Sequence, residues 1–382
     1  MDPHKVFCPN RECPASGQVG QGNIGIHSQK EQRYRCRVCG KTFAARTGTA
    51  FYRLRTAETT MTLVVTLLAH GCPLQAIVVA FGLDERTVQA WQKRAGVQCQ
   101  RVQAHLVEQP RDLGQVQADE LWVKLQGLKV WMAMALQVST RLPTGGLRLW
   151  LGGVISAQRD RHLIGALLQK IRACALRRPL LICVDGLATY VKAVRQVFRD
   201  PVPRDHRVGR RRLQPWRGVY IAQVVKQYAK RHVVGIQRRI VQGRRVAIQR
   251  LINRTQGGGG INTAYMERLN ATFRARLHRL VRRGRSLGRQ VPALEQGMYL
   301  IGAVYNFCTF HSSLRIRRLG RPDRMGHRWH FRTPAMAAGL SDHRWSVHEL
   351  LAYQVPPPRW APPKHRGRQS LATQALVARW CT

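Results

Sequence analysis

The chain has 382 residues, 44% of them apolar, and carries 64 Lys and Arg against 19 Asp and Glu, a formal net charge of +45. That apolar content supports a folded core in about two to three domains and argues against a disordered basic tail. A folded surface this cationic is either a basic structural surface or one built for a polyanion. Nucleic acid fits best, because Lys and Arg displace counterions from phosphates without reading sequence. The opening "MDPHKVFCPN" has no apolar h-region, so no secretory signal is expected. The most apolar stretch, "MTLVVTLLAHGCPLQAIVVAFGL", is broken by His, Gly and Pro, so no membrane-spanning helix is expected either. These features predict a cytoplasmic protein. There, ten cysteines read as thiols or metal ligands before disulfides.

The first element is a cysteine cluster at residues 1–50. Cys8 and Cys13 stand in a C-x4-C pair, and Cys36 and Cys39 in a C-x2-C pair 22 residues later. Two knuckles of this spacing can place four thiolates tetrahedrally around Zn²⁺, with Gly40 suiting the tight turn. Four protein ligands leave no open position, so the expected zinc is structural. His27 is an alternative ligand, in a Gly-rich loop. The bland reading is four free thiols.

Residues 56–97 follow the helix-turn-helix pattern in "TMTLVVTLLAHG", "CPLQAIVVAFGL" and "DERTVQAWQKRAG". Leu63, Leu67 and Leu68 are expected on one apolar face, Ile77, Val78 and Phe81 on a second, and Val88 and Trp91 on a third. Pro73 suits a first helical turn, Gly82 the connecting turn, and Asp84 an N-cap. The last helix would enter the major groove of double-stranded DNA with Arg86, Gln89, Gln92 and Lys93 (and Glu85) facing outward. A plain helical hairpin is the competing reading. Residues 98–114 read as a linker or weak helix.

The period then changes from helical to β. "QVQADELWVKL", "KVWMAMALQVS" and "LRLWLGGVIS" are three strand-like runs with short turns. An amphipathic helix, "DRHLIGALLQKIRACAL", precedes "RPLLICVDG", a mostly apolar run suited to a central strand. "ATYVKAVRQVF" is a further helix. Three antiparallel strands, a helix, a central strand and a helix are the order of a ribonuclease-H-like α/β domain, placed here at residues 115–320. Residues 201–262, with strand-like stretches in "GVYIAQVV", "RHVVGIQRRIV" and "RRVAIQRLI", read as a basic insertion with room in it for the last sheet strand; 321–382 read as a basic, Pro-rich C-terminal region in which "QVPPPRWAPPKHRGRQ" is an extended tail.

With so few acids, three positions stand out. Asp119 lies inside the first strand, Asp185 ends "LLICVD", and Glu267 is the sole acid between His206 and Leu294, among 22 Lys and Arg. On "NTAYMERLNATFRARLHRL", Met266, Leu269, Phe273, Leu277 and Leu280 make an apolar stripe, while Glu267, Asn270, Arg274 and His278 make a polar one. Packed on the sheet, such a helix presents Glu267 near the strand ends, where α/β folds place reacting groups. Each acid also has an ordinary reading: a strand end for Asp185, a helix-dipole partner for Glu267, a surface strand position for Asp119. Together, three carboxylates in a cationic protein can hold two Mg²⁺ ions for in-line displacement at phosphorus. Glu120 is an alternative acid, but neighbouring strand residues point to opposite faces. Asp200 and Asp205 fall in a Pro-rich loop, and His311 reads as a phosphate contact or as a core histidine. "QGGGG" lacks the Gly-Lys-Ser/Thr of a phosphate loop and reads as a flexible end to the insertion.

From Cys8 to Trp360, "YRCRVCGKTF", the helix-turn-helix, "ADELW", "CVDG", "INTAYMERLNATFR" and "YNFCTFHSSL…RTPAMAAGL" resemble the bacterial insertion-sequence transposases with a DDE catalytic domain, especially the insertion sequence one-like group. The resemblance implies a zinc ribbon and helix-turn-helix that bind terminal inverted repeats, and a catalytic triad at Asp119, Asp185 and Glu267. It implies Mg²⁺-dependent strand cleavage and transfer on a bacterial nucleoid, by a homo-oligomer bridging two DNA ends. Asn270 and Arg274 stand where such enzymes often carry an assisting polar residue. The 82-residue interval from Asp185 to Glu267 is long for this family and argues for an insertion. Two other functions fit the same residues: a DNA-binding regulator that has lost catalysis, and a nuclease that hydrolyses DNA without joining it.

Overall fold

The computed structural model describes residues 1–125, 128–139, 145–202, 211–230, 232–277, 291–318, 328–362 and 367–381. Leu280, His278 and Asp205 lie outside them. The chain forms two compact units, one from Met1–Glu58 with Leu351–Thr382, the other from Thr59–Leu350. Among the described residues no helix is long and apolar enough to cross a membrane.

The first unit contains a three-stranded antiparallel sheet, β1 (Ile24–Ser28), β2 (Arg33–Cys36) and β3 (Thr42–Ala44). Its small core joins Ile24, Tyr34 and Phe43 to the cysteines and to Trp380. Trp380 closes a helix, Leu371–Trp380, whose first turn is capped by the Ser370 hydroxyl accepting from the Thr373 N–H at 3.2 Å. The stretch expected to be extended, "QVPPPRWAPPKHRGRQ", has no regular structure where it is described, and this helix follows it. The proline run suppresses regular structure through Pro362, but "LATQALVARW" has strong helix formers and an aromatic anchor.

The second unit begins with α1 (Glu58–Ala69), α2 (Leu74–Phe81) and α3 (Glu85–Leu106). Asp84 caps α3, its carboxylate accepting from the N–H groups of Arg86 at 2.8 Å and Thr87 at 3.3 Å. Pro73 stands one place earlier than expected, at the N-cap of α2. The buried face of α1 is Met61, Val64, Val65, Leu68 and Ala69, so Leu63 and Leu67 are exposed and the expected stripe is rotated. The linker expected at 98–114 is helix as far as Leu106. Its apolar positions, Cys99 and Val102, continue the buried stripe of Val88, Trp91 and Ala95. Gly96 allows α3 to meet α8 (Val291–Ala303): a Cβ there would lie 2.6 Å from the Gln296 carbonyl oxygen.

A six-stranded mixed sheet follows, in the order β11-β10-β7-β4-β5-β6. β4 (Gln115–Leu125), β5 (Leu128–Ser139) and β6 (Leu147–Ser156) are antiparallel neighbours. α4 (Arg161–Ala173) leads to β7 (Leu180–Asp185), which runs parallel to β4, and α5 (Ala188–Val197) follows. β7 is buried along its length except at Asp185, as a strand covered on both faces should be. A short ladder, β8 (Arg199–Pro201) with β9 (Leu213–Pro215), precedes β10 (Val219–Ala229), parallel to β7, and β11 (His232–Gln242), antiparallel to β10.

The stretch read as an insertion thus supplies two strands of the main sheet and a helix, α6 (Arg245–Gln256). β11 is an edge strand exposed along most of its length, so it tolerates its arginines and needs no apolar alternation. Gly257, Gly258 and Gly259 all have positive φ, which glycine alone adopts freely in succession. The run is a specific turn from α6 into α7 (Ala264–Arg276), more than a flexible spacer. After α8 come β12 (His311–Arg317) and β13 (Trp329–Arg332), a separate antiparallel pair.

Candidate active site

Two clusters of ligand-bearing side chains stand out among the described residues. In the first unit, the four cysteine sulfurs lie within 4.8 Å of one another. Cys8 and Cys39 are 3.7 Å apart, Cys13 and Cys36 3.8 Å. Four sulfurs about 2.3 Å from a central Zn²⁺ stand about 3.8 Å apart along tetrahedral edges, so the cluster can bind zinc as it is. Burial pushes the Cys13 thiol up to about 12 and raises Cys8 further, with the neighbouring thiols adding to both. Burial acts the same way on Cys39, but hydrogen bonds from the Lys41 backbone, Asn10 and neighbouring thiols outweigh it and hold that thiol near 7. Among the described residues no bonded cation offsets four thiolates here; a soft divalent metal would. His27 is exposed and outside the cluster.

The second cluster sits on the central strands. Along β4, Gln115, Gln117 and Asp119 share one face by alternation, and Glu120 starts from the other. The two glutamines fix what packs above them. Gln115 Oε1 accepts from the Thr255 hydroxyl at 2.8 Å and Gln256 Nε2 at 2.7 Å. Gln117 Oε1 accepts from the Met266 N–H at 3.0 Å, and its Nε2 donates to the Asn262 carbonyl at 2.9 Å. Both ends of the glycine turn are thereby tied to β4, which sets the start of α7 over Asp119. Met266, Leu269 and Phe273 bury their side of α7 as expected. Asn270, expected on the polar stripe, is only 2% exposed and donates Nδ2 to Asp119 Oδ2 at 2.8 Å. Arg274 is half-buried on the same helix.

Asp185 ends β7. The parallel register of β4 with β7 ends at Gln117 and Cys183, each two residues before its aspartate. Asp185 Oδ1 accepts from the Leu187 N–H at 3.0 Å, and Oδ2 from Arg159 at 3.0 Å. Arg159 also grips Glu120, with two donors at 2.9 and 2.6 Å to Oε2. Glu267 pairs with Lys226 of β10 at 2.5 Å. Asp119, Asp185 and Glu267 line one cavity of about 490 Å³ with Arg159, Lys226 and Tyr228.

The tightest carboxylate group differs from the expected triad. Asp119, Glu120 and Asp185 each bring an oxygen within 4.8 Å of the others, and this trio can bind Mg²⁺. Glu267 lines the cavity but is not in that group. The reason Glu120 was set aside does not hold, because a glutamate's two methylenes let its carboxylate reach back from the opposite face. Burial pushes Asp119 up to about 7, with the charges of Glu120, Asp185 and Glu267 adding to it. Burial also raises Glu120. Asn270 Oδ1 is buried without a hydrogen-bond partner, and Glu120 Oε1 is buried with only the Tyr190 hydroxyl interacting with that carboxylate. Crowded hard oxygens, one carboxylate driven toward protonation and an orphaned acceptor form a donor set suited to a divalent cation.

Other expected positions fall apart from this site or shift within it. Arg86, Gln89 and Lys93 are exposed on α3, while Gln92 is half-buried, its amide nitrogen 3.9 Å from the Cβ position of Gly297 on α8. Asp200 is taken up by Arg172 at 2.7 Å and Arg177 at 2.5 Å. His311 is half-buried, its ring 4.4 Å from Tyr305, and burial lowers it to about 4. Arg159 and Lys226 carried no sequence signal, being two cations among 64. The sequence matches no protein-family model and no curated protein.

Proposed function

We propose that the protein is a divalent-metal-dependent DNA transposase, which cleaves DNA at the ends of a mobile element and joins the freed 3′-hydroxyl to a target strand. The carrying observation is a single cavity at the centre of the sheet, lined by Asp119, Asp185 and Glu267, in a chain of net charge +45. The strand order supports the ribonuclease-H-like reading: three antiparallel strands, β6-β5-β4, then β7 and β10 parallel to β4.

Asp119 and Asp185 hold Mg²⁺ in this reading, with Glu120 and Glu267 as the further carboxylates. Bound there, Mg²⁺ would supply the charge that activates a hydroxyl and stabilises the leaving oxygen. Asn270 fixes the Asp119 carboxylate from above. Arg159 and Lys226 satisfy the acids and are placed to take a phosphodiester instead once the carboxylates turn to a cation. The exposed Arg86, Gln89 and Lys93 of α3 would contact duplex DNA.

The test incubates the full-length protein with element-end duplexes, a target plasmid and Mg²⁺. Joined product is expected. Cleavage without joining would replace the reading by a nuclease, and tight end binding without chemistry by a regulator. Glu267→Gln and Asp119→Asn should each keep duplex binding and lose joining by about a thousandfold or more. Normal joining by Glu267→Gln would remove Glu267 from the catalytic set and leave the Asp119, Glu120 and Asp185 trio.

A further inference from the structure

The β12–β13 pair carries a surface that the carboxylate chemistry does not use. Arg317 pairs with Trp329, and Ile316 with His330, so the two faces of this small sheet are distinct. One face is held to the body: Leu314 and Arg332 are buried, and Arg332 Nε donates to the Leu314 carbonyl at 2.9 Å. The other presents Trp329 (39% exposed) and Phe331 (39%), with Arg315 and Arg317 beside them. Phe310 (41%) extends this face, its ring 6.1 Å from Phe331.

Cations lie over two of these rings. The Arg315 guanidinium is 4.4 Å from the Trp329 ring centre, and that of Arg344 is 4.8 Å from Phe310. Among the described residues, no ion pair involves Arg315, Arg317 or Arg344. The acids nearest Arg344 in sequence, Asp342 and Glu349, are both engaged by His343, at 2.6 and 2.9 Å. The face therefore combines exposed π-surfaces with guanidinium groups that have no ion-pair partner among the described residues. A second copy of this chain would meet like charge with like charge. An apolar protein surface would leave the arginines without partners. A nucleic-acid strand satisfies both, since bases stack on rings and phosphates pair with arginines. Paired bases hide their faces, so the fitting ligand is unpaired.

We propose that the exposed face of the β12–β13 pair is a platform for unpaired nucleotides, with bases stacked on Trp329, Phe331 and Phe310 and phosphates held by Arg315, Arg317 and Arg344. Trp329 and Phe331 are two residues apart on one strand, about 7 Å, which gives each ring room for its own base. The platform does not depend on the metal chemistry. A protein that fails to join DNA but binds single strands here would refute the transposase reading and keep this one.

The experiment measures binding of the full-length protein to a short fluorescent oligothymidylate and to a duplex of equal length, over a range of salt. The double variant Trp329→Ala with Phe331→Ala should weaken single-strand binding about tenfold or more. Its duplex binding should stay within about twofold and its salt dependence unchanged. Arg315→Ala should lower the salt slope by about one unit. Trp329→Phe should bind like the native protein and Trp329→Leu should not. Single-strand binding by the double variant within about twofold of native, or full binding by Trp329→Leu, would overturn the platform. A measurement on the unaltered protein guards against misfolded variants: photocrosslinking to an iododeoxyuridine oligonucleotide should label the peptide holding Trp329 and Phe331. Labelling confined to other peptides would overturn the proposal as well.

Discussion

The two ligand clusters handle the same problem, the burial of groups that repel one another when ionised, in opposite ways. Among the described residues the four cysteines are met by backbone N–H groups, by Asn10 and by one another, with no bonded cation. The carboxylates are interleaved with protein cations, Arg159 between Glu120 and Asp185, and Lys226 on Glu267. A cluster without its own counter-charge depends on the metal to hold its fold together. A cluster with built-in cations can stand folded without metal and exchange those contacts when metal and substrate arrive. The first arrangement suits a structural ion, the second a site that must load and unload.

Metal withdrawal should separate the two most sharply. Structural zinc in small domains contributes about 10–16 kcal/mol at neutral pH, so chelation or Cys36→Ser should abolish hydrogen-exchange protection across β1–β3. The strands β4, β5 and β7 should keep theirs. Retained protection in β1–β3 after complete zinc removal would mean that the cysteines hold no structural metal. The next largest effect belongs to the carboxylates. Arg159→Ala leaves the fully buried Glu120 carboxylate without its cation and should cost about 3 kcal/mol in urea unfolding. Millimolar Mg²⁺ should recover much of that loss in the variant and do little for the stability of the native protein. An Arg159→Ala protein as stable as native would mean that Arg159 is not what holds Glu120.

His311 sharpens the contrast from a third side, as a half-buried titratable group that stays neutral. Its value in the fold, about 4, lies below its ordinary 6.5, so the unfolded chain binds the proton more readily. Its contribution to stability is complete above pH 6.5 and is lost as pH falls toward 4. Between pH 7 and pH 5 the native protein should lose about 2 kcal/mol more than His311→Phe. Equal losses in the two proteins would place the histidine in water. The smallest effect is expected at Asn270. Asn270→Ala frees the Asp119 carboxylate from one bond and should slow single-turnover joining about tenfold, roughly the value of one hydrogen bond to a charged group. DNA affinity should not change.

Much of this architecture is readable along the chain. Cys8, Cys13, Cys36 and Cys39 are two local pairs, and spacing within a knuckle is a local constraint. β4, β5, β6 and β7 lie where apolar runs and turns place them, and Asp84 caps α3 as its position before the helix implies. Asp119 and Asp185 follow, since a strand carries its residues to a foreseeable place. The sequence was less informative wherever partners are distant. β11 is hard to place from the chain alone, because an edge strand has few apolar demands and tolerates arginines. Trp380 joins the core of a ribbon more than three hundred residues earlier, which no local period encodes.

The carboxylate site shows where the division falls. The isolation of Glu267 among cations, and the three acids as candidates, came from the sequence by itself, because charge and period are properties of the chain. Tertiary structure alone decided that Glu120 reaches the cluster, that Arg159 and Lys226 neutralise it, and that Asn270 is buried against Asp119. Those outcomes depend on side-chain reach across strands and on which of 64 cations lies nearest. The glycine turn links the two levels. Three successive positive-φ residues could only be glycine, but the glutamines of β4 determine where the helix after that turn sets Glu267.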